Sequence, residues 1–130
     1  LFRDQDPERA TYAAMVWAMD RAIGRVVQRL KELGQYDHTL IVFLSDNGGS
    51  PVNDSNNDPL KGFKGNKFEG GHRVPFVVHW PAAVAGGSRF NGLSSSLDLF
   101  PTFLAAAGIP QPADLPLDGV NLLPYLQAQA

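Results

Sequence analysis

The sequence predicts an α/β fold, a sheet flanked by helices, on three observations. Apolar residues recur at helical spacing from Tyr12 to Leu33, and Leu40-Ile41-Val42-Phe43-Leu44 follows as a continuous apolar run of strand length. Beyond a long polar stretch, Phe76-Val77-Val78-His79-Trp80 is a second such run. Helix, short turn and apolar strand in succession are the elements of an α/β layer.

The helical stripe consists of Tyr12, Met15, Val16, Met19, Ile23, Val26, Val27, Leu30 and Leu33, and Gly34 is placed to end it. Arg21, Arg25 and Arg29, four apart on the opposite face, read as a solvated surface and not as an anion site. The run at 40–44 has the character of a strand buried on both sides of a parallel sheet. Residues 45–75 carry Gly48, Gly49, Pro51, Pro59, Gly62, Gly65, Gly70 and Gly71, so regular structure cannot persist through them, and loops of this length in compact domains are usually functional or disordered. Pro81 closes the second strand, and 82–90 is a turn-rich connection. Asp98 is placed to cap a helix reaching Ala107, with Pro101 in its first turn and Gly108 after its end. Residues 110–118 resemble a linker, and a short helix at about 120–127 follows. Trp17 and Trp80 are expected in the core.

A chain of 130 residues is long enough for one domain with a hydrophobic core. Apolar residues at 44% and charged residues at 18% exclude a disordered or fibrous chain. Eleven Lys and Arg against 13 Asp and Glu leave a charge of -2, which offers no field for nucleic acid or an anionic membrane, so neither is expected as a partner and any anion site is local. The absence of cysteine excludes disulfides, thiolate metal sites and a cysteine nucleophile within these residues. Leu1-Phe2-Arg3-Asp4 has neither an initiator Met nor an apolar signal core, and no apolar run reaches membrane-spanning length. Residues 1–130 therefore read as a single partial domain, cut from a longer protein.

Ser45-Asp46-Asn47-Gly48-Gly49 stands at the carboxyl end of the first strand, where open α/β sheets place their ligands. An Asp carboxylate beside an Asn carbonyl offers two adjacent hard oxygen ligands suited to calcium or magnesium. The alternative is an Asx turn closing the strand, with Asn47 at positive φ. Leu60 to Pro75 gathers Lys61, Lys64, Lys67 and Arg73 against Glu69, a local charge of +3. Glycines around Lys64 allow close backbone approach to a ligand, which suits an oxyanion cradle; the alternative is a basic solvated loop. It is not a nucleotide-binding P-loop, because Gly71-His72 stands where Lys-Ser/Thr would follow. His38, His72 and His79 share no metal-ligand spacing, and His79 in its apolar strand reads as a core histidine. Ser45 lacks the flanking pattern of a nucleophile elbow.

In their order, Leu30-Lys31-Glu32-Leu33-Gly34, Thr39 to Gly49, Lys61-Gly62-Phe63-Lys64-Gly65 and Glu69-Gly70-Gly71-His72-Arg73-Val74-Pro75 resemble the sulfatase family. Val78-His79-Trp80-Pro81, Leu97 to Thr102 and Leu117 to Leu123 are similar to that family's later blocks. The resemblance implies an alkaline-phosphatase-like sheet flanked by helices, of which this chain is the C-terminal part of the catalytic domain, and a calcium ion contacting the sulfate of a sulfate ester substrate. On that basis Asp46 and Asn47 match the later pair of calcium ligands, Lys64 matches the lysine that contacts sulfate, and Glu69, Gly70, Gly71 and Arg73 match a motif supporting the loop. Lys61 stands where many relatives have Arg, which keeps the charge and loses the planar fork.

The family's nucleophile is a formylglycine made within a Cys/Ser-x-Pro-x-Arg motif, and no such motif occurs in these residues. The early Asp pair and the remaining sulfate-pocket residues are also implied upstream, so the chain's expected partner is the missing N-terminal part of the same catalytic domain, and the isolated piece is expected to be inactive. Two alternatives stay open: a phosphonate monoester hydrolase or phosphodiesterase of the same superfamily, and a non-catalytic α/β binding module. Export to the periplasm or outside the cell is what many relatives imply.

Overall fold

The computed structural model describes residue 2 and residues 6–128. Helix α1 spans Pro7–Glu32 and starts before the apolar stripe does. The reason is local: the Asp6 carboxylate accepts the Glu8 N–H at 2.9 Å, and Pro7 takes a first-turn position where its missing N–H costs nothing. The helix stops where Gly34 turns left-handed at φ 66°, with the Gly34 N–H donating to Lys31 and the Gln35 N–H to Leu30.

The apolar stripe of α1 is present but uncovered. No residue of the helix is buried; Met15 is 67% and Val26 60% exposed. Trp17 is also exposed, with the Arg21 guanidinium 4.9 Å over its ring, so it is not the core residue its type suggests. The arginine face is solvated as expected, Arg29 pairing with Glu32 at 3.2 Å on the surface. At its N-terminal end α1 meets the 3-10 turn Pro51–Asn53, where Arg9 Nη1 donates to the Asp54 carbonyl at 2.9 Å.

Strands β1 (Ile41–Leu44) and β2 (Phe76–His79) form a two-stranded sheet. The pairing is antiparallel: the Ser45 N–H donates to Pro75 at 3.2 Å, and the Ala82 N–H donates to Asp37 at 3.0 Å. This corrects the parallel arrangement expected of so apolar a strand. A parallel pair needs a crossover that traverses the sheet, usually a long helix. Residues 45–75, broken by glycine and proline, form only the turn at Pro51–Asn53 and the single helical turn α2 (Glu69–His72), and return to the end they left. Nor is the pair buried on both faces, since Phe43 and Val77 are exposed.

The chain divides into two compact units, Leu1–Tyr36 with Phe43–Val77, and Asp37–Val42 with Val78–Ala130. In the second, helix α3 (Leu99–Ala106) follows a 3-10 turn at Ser96–Asp98, and α4 (Leu123–Gln127) ends the described chain. Pro101 lies in the first turn of α3, and the Gly108 and Ile109 N–H groups close its end on Ala105 and Leu104. Asp98 is the N-cap residue of α3 as expected, but its side chain makes no capping bond to that helix. Its carboxylate accepts the Ser95 N–H at 2.7 Å and the Val120 N–H at 2.8 Å. Thr102, 2% exposed, accepts the Leu122 N–H at 2.9 Å. Helix α4 begins only at Leu123, later than the pattern suggests, because Pro124 has no N–H to donate to the Val120 carbonyl and fits only a first turn.

Asp98 is 7% exposed, and its two charge-assisted bonds stitch together segments 22 residues apart. Asp98→Ala leaves the Val120 N–H without its acceptor and is expected to lower stability by about 3 kcal/mol. Urea unfolding measures this; a loss within experimental error would show that the stitch is dispensable.

Among the described residues, the buried hydrophobic side chains are Val84, Leu122 and Leu123. Among the described residues the expected hydrophobic core is therefore small, and no side chain of α1 is buried. No described helix is long and apolar enough to cross a membrane.

Candidate functional site

The residues singled out for chemistry all lie on the loop between β1 and β2, within the first unit. The Ser45 hydroxyl closes the strand end by donating to the Asn47 carbonyl at 2.9 Å. Apart from glycines, the left-handed residue of this loop is Asp54, φ 53°, and not Asn47, so the Asx turn with Asn47 at positive φ does not form. Asn47 is half-buried and its Nδ2 donates to the Gly48 carbonyl at 3.0 Å. Asp46 is exposed. Among the described residues, no donor engages the Asp46 carboxylate or the Asn47 Oδ1.

The loop folds over the strand end through backbone hydrogen bonds. The Gly48 N–H donates to Gly71 at 3.0 Å, the Lys64 N–H to Gly49 at 3.0 Å, and the Gly70 N–H to Lys61 at 2.8 Å. Such contacts require bare backbone on both sides. A Cβ on Gly48 would fall on the Gly70 carbonyl, and one on Gly70 would fall on the Gly62 carbonyl and lie 2.8 Å from that of Lys61. Gly48, Gly70 and Gly71 are buried. Sequence reasoning assigned the glycines of this segment to close approach of a ligand; at Gly70 and Gly71 the approach is of backbone to backbone, and at Gly62 it is of the Phe68 and Asn66 side chains.

Lys64 occupies the second position of a turn closed by the Asn66 N–H on Phe63 at 2.8 Å, and Gly65 at the third position has φ 88°, as a type II turn requires. The basic charges of the segment separate by role. Lys61 Nζ sits 4.3 Å over the Phe68 ring, and Arg73 pairs with Glu69 at 3.3 Å across α2, on the surface. That pair, with the Arg73 N–H on the Glu69 carbonyl at 2.7 Å, holds the single turn of α2 on which Gly70 and Gly71 stand. Lys64 and Lys67 are exposed and have no acidic partner among the described residues.

The structure thus brings the backbone of Lys64 onto the strand end that carries Asp46 and Asn47. No ion pair joins Asp46 and Lys64, and neither of two surface depressions, one along α1 at Arg21 to Glu32 and one at Arg9, Asp54 and Asp58, includes them. Among the described residues no group of three His, Cys, Asp or Glu side chains could hold a metal. The donor set nevertheless suits a hard cation as far as it goes: on two residues adjacent in the sequence, the Asp46 carboxylate and the Asn47 Oδ1 engage no donor among the described residues.

One residue escaped the sequence reading. Asn57, half-buried, accepts the Gly49 N–H on Oδ1 at 2.8 Å and donates through Nδ2 to the carbonyls of Gly49 at 3.1 Å and Gly62 at 3.2 Å. It lies in the polar run Asn53 to Asp58, where nothing in the local pattern separates it from its neighbours.

Comparison with known proteins bears on this arrangement. The family model Sulfatase matches residues 2–109. The uncharacterized sulfatase YdeN of Escherichia coli is 40% identical over 121 residues, which cover 89% of this chain and 21% of that protein. Human N-acetylgalactosamine-6-sulfatase is 39% identical over 123 residues, 92% of this chain and 24% of the relative. Among solved structures, that of Ps i-CgsB in complex with k-i-k-neocarrahexaose superposes with a TM-score of 0.91 at 48% identity, over 97% of this chain and 28% of that one. The structure of BT4656 in complex with its substrate D-glucosamine-2-N,6-O-disulfate superposes with a TM-score of 0.74 at 32% identity, over 92% and 23%. The chain spans about a quarter of the length of the relatives it matches. These neighbours support the alkaline-phosphatase-like α/β fold expected from the sequence. With a family model matched over most of its length and relatives 39% and 40% identical across about nine-tenths of it, this chain belongs to the sulfatase family.

Proposed function

We propose that this chain is the part of a sulfuric ester hydrolase that carries two calcium ligands, Asp46 and Asn47, and the sulfate-contacting cation Lys64, within one catalytic domain completed by the remaining, N-terminal part. The observation that carries the reading is the hydrogen bond from the Lys64 N–H to Gly49, which ties the turn bearing the lysine to the strand end bearing the ligand pair. Family membership favours sulfuryl over phosphoryl transfer, and assays of the full-length protein on an aryl sulfate and an aryl phosphate test it. Preference for the phosphate ester would overturn the assignment.

The division of labour follows from charge. Lys64, without an acidic partner among the described residues, offers its ammonium to the non-bridging oxygens of a sulfate group, where negative charge grows as the sulfur–oxygen ester bond breaks. Asp46 and Asn47 would hold calcium through the carboxylate and the amide carbonyl, and the ion when bound supplies Lewis-acid polarisation of a sulfate oxygen. The backbone bonds among Gly48, Gly49, Lys61, Lys64, Gly70 and Gly71 tie the strand end to the lysine segment, which would limit reorganisation during reaction. The uncovered stripe of α1 is the surface on which the rest of the domain would pack.

Calcium binds through about six to eight oxygens, and two ligands of this chain leave most of that shell to water. Calorimetric titration of the 130-residue chain is therefore expected to show millimolar affinity at best. Micromolar binding abolished by Asp46→Ala would mean that further ligands lie within these residues. The same chain, without a Cys/Ser-x-Pro-x-Arg motif, is expected to turn over no sulfate ester.

A further inference from the structure

We infer that Asn57 is a positioning residue that sets where Lys64 stands relative to Asp46 and Asn47. The inference rests on the roles proposed for those three residues and adds to them a side chain from outside both sequence blocks. Asn57 engages both the N–H (2.8 Å) and the C=O (3.1 Å) of Gly49 through one carboxamide, as a neighbouring strand would. Its remaining N–H reaches the Gly62 carbonyl at 3.2 Å, in the segment that leads to Lys64. The Gly49 carbonyl it braces is also the acceptor of the Lys64 N–H at 3.0 Å.

Among the described residues the other ties between the strand end and the lysine segment are backbone to backbone, so there Asn57 is the side chain through which a substitution can loosen them. Side and space agree with that role. Gly49 faces Asn57 so closely that a Cβ there would lie 2.9 Å from its Oδ1 and 2.5 Å from the Ser55 Cβ. A carboxamide is needed because the partners are one donor and two acceptors. Asn57→Asp keeps the size and the acceptor for the Gly49 N–H, but turns a second oxygen toward the carbonyls of Gly49 and Gly62 where a donor stood.

The test uses the full-length protein with an aryl sulfate. Asn57→Asp is expected to lower kcat by about 10- to 100-fold, the scale of a small misplacement of a reacting group, with KM changed by less than about threefold. Asn57→Ser, which keeps one donor and adds no charge, should fall between Asn57→Asp and the unaltered protein. Because Asn57 acts through Lys64, adding Asn57→Asp to Lys64→Ala should cost at most about twofold more than Lys64→Ala alone. Independent losses that multiply in the double variant would overturn the inference, as would a lowered melting temperature with unchanged kcat per folded molecule. Amide hydrogen exchange provides a readout apart from activity: exchange at Lys64 should rise by about tenfold or more in Asn57→Asp, with α1 unaffected. Unchanged exchange at Lys64 would refute the clasp itself. If Lys64→Ala retains full kcat, the proposed role of Lys64 fails, while the exchange result still decides whether Asn57 holds that segment.

Discussion

Lys64→Ala in the full-length protein is expected to lower kcat on an aryl sulfate by about a hundredfold to a thousandfold, the usual cost of removing one preorganised charge from a developing oxyanion. The ammonium has no acidic partner among the described residues, so its charge is not spent on an ion pair within them. Its backbone is held by one bond to Gly49 and within a turn that Gly65 allows. Lys64→Arg should restore little, since a planar fork presents its donors differently from a compact ammonium. The measurement is the steady-state kcat of purified variants matched for folded content. A Lys64→Ala protein with near-normal kcat would remove Lys64 from the site and leave Asp46 and Asn47 without the cation proposed to work beside them.

The second large effect falls on stability. Gly48→Ala places a methyl group on the Gly70 carbonyl, and Gly70→Ala places one on the Gly62 carbonyl; in each case the obstacle is backbone and cannot swing aside. Each substitution is expected to cost about 3 kcal/mol or more, at the upper end of what overpacking usually costs. The same change is harmless where space is open. Gly24, in the middle of α1, has nothing within 4 Å of the point where a methyl group would stand, and Gly24→Ala should gain about 0.8 kcal/mol from helix propensity alone. Urea unfolding of the three variants compares steric clash with propensity in one protein. Equal stability of Gly48→Ala and Gly24→Ala would mean that the strand end and the Gly70 segment are not in contact in solution.

These two effects meet in one piece of backbone. The glycines that exclude a methyl group are those that let the Lys61 to Gly71 segment lie against the strand end, and the lysine is held by the same set of bonds. Loss of packing at Gly48 is therefore expected to be accompanied by loss of activity, whereas loss of the Lys64 charge leaves stability unchanged.

Much of this was legible in the residues themselves. The period of the apolar stripe determines α1, the two short apolar runs determine β1 and β2, and Gly34 and Gly108 mark helix ends, because each of these depends on neighbours a few positions away. The ordered blocks around Asp46, Asn47 and Lys64 were sufficient for the family. Tertiary structure decided what depends on distant partners. It paired the strands antiparallel, since residues 45–75 return to the strand end they left instead of crossing the sheet. It sent the Asp98 carboxylate to Val120 and not to the helix it precedes, and it left Trp17 exposed, because burial depends on a facing layer and not on residue type. Asn57 belongs to the same class: an asparagine in a polar loop becomes a clasp only when folding brings Gly49 and Gly62 to either side of its carboxamide, where one donor and two acceptors match its own.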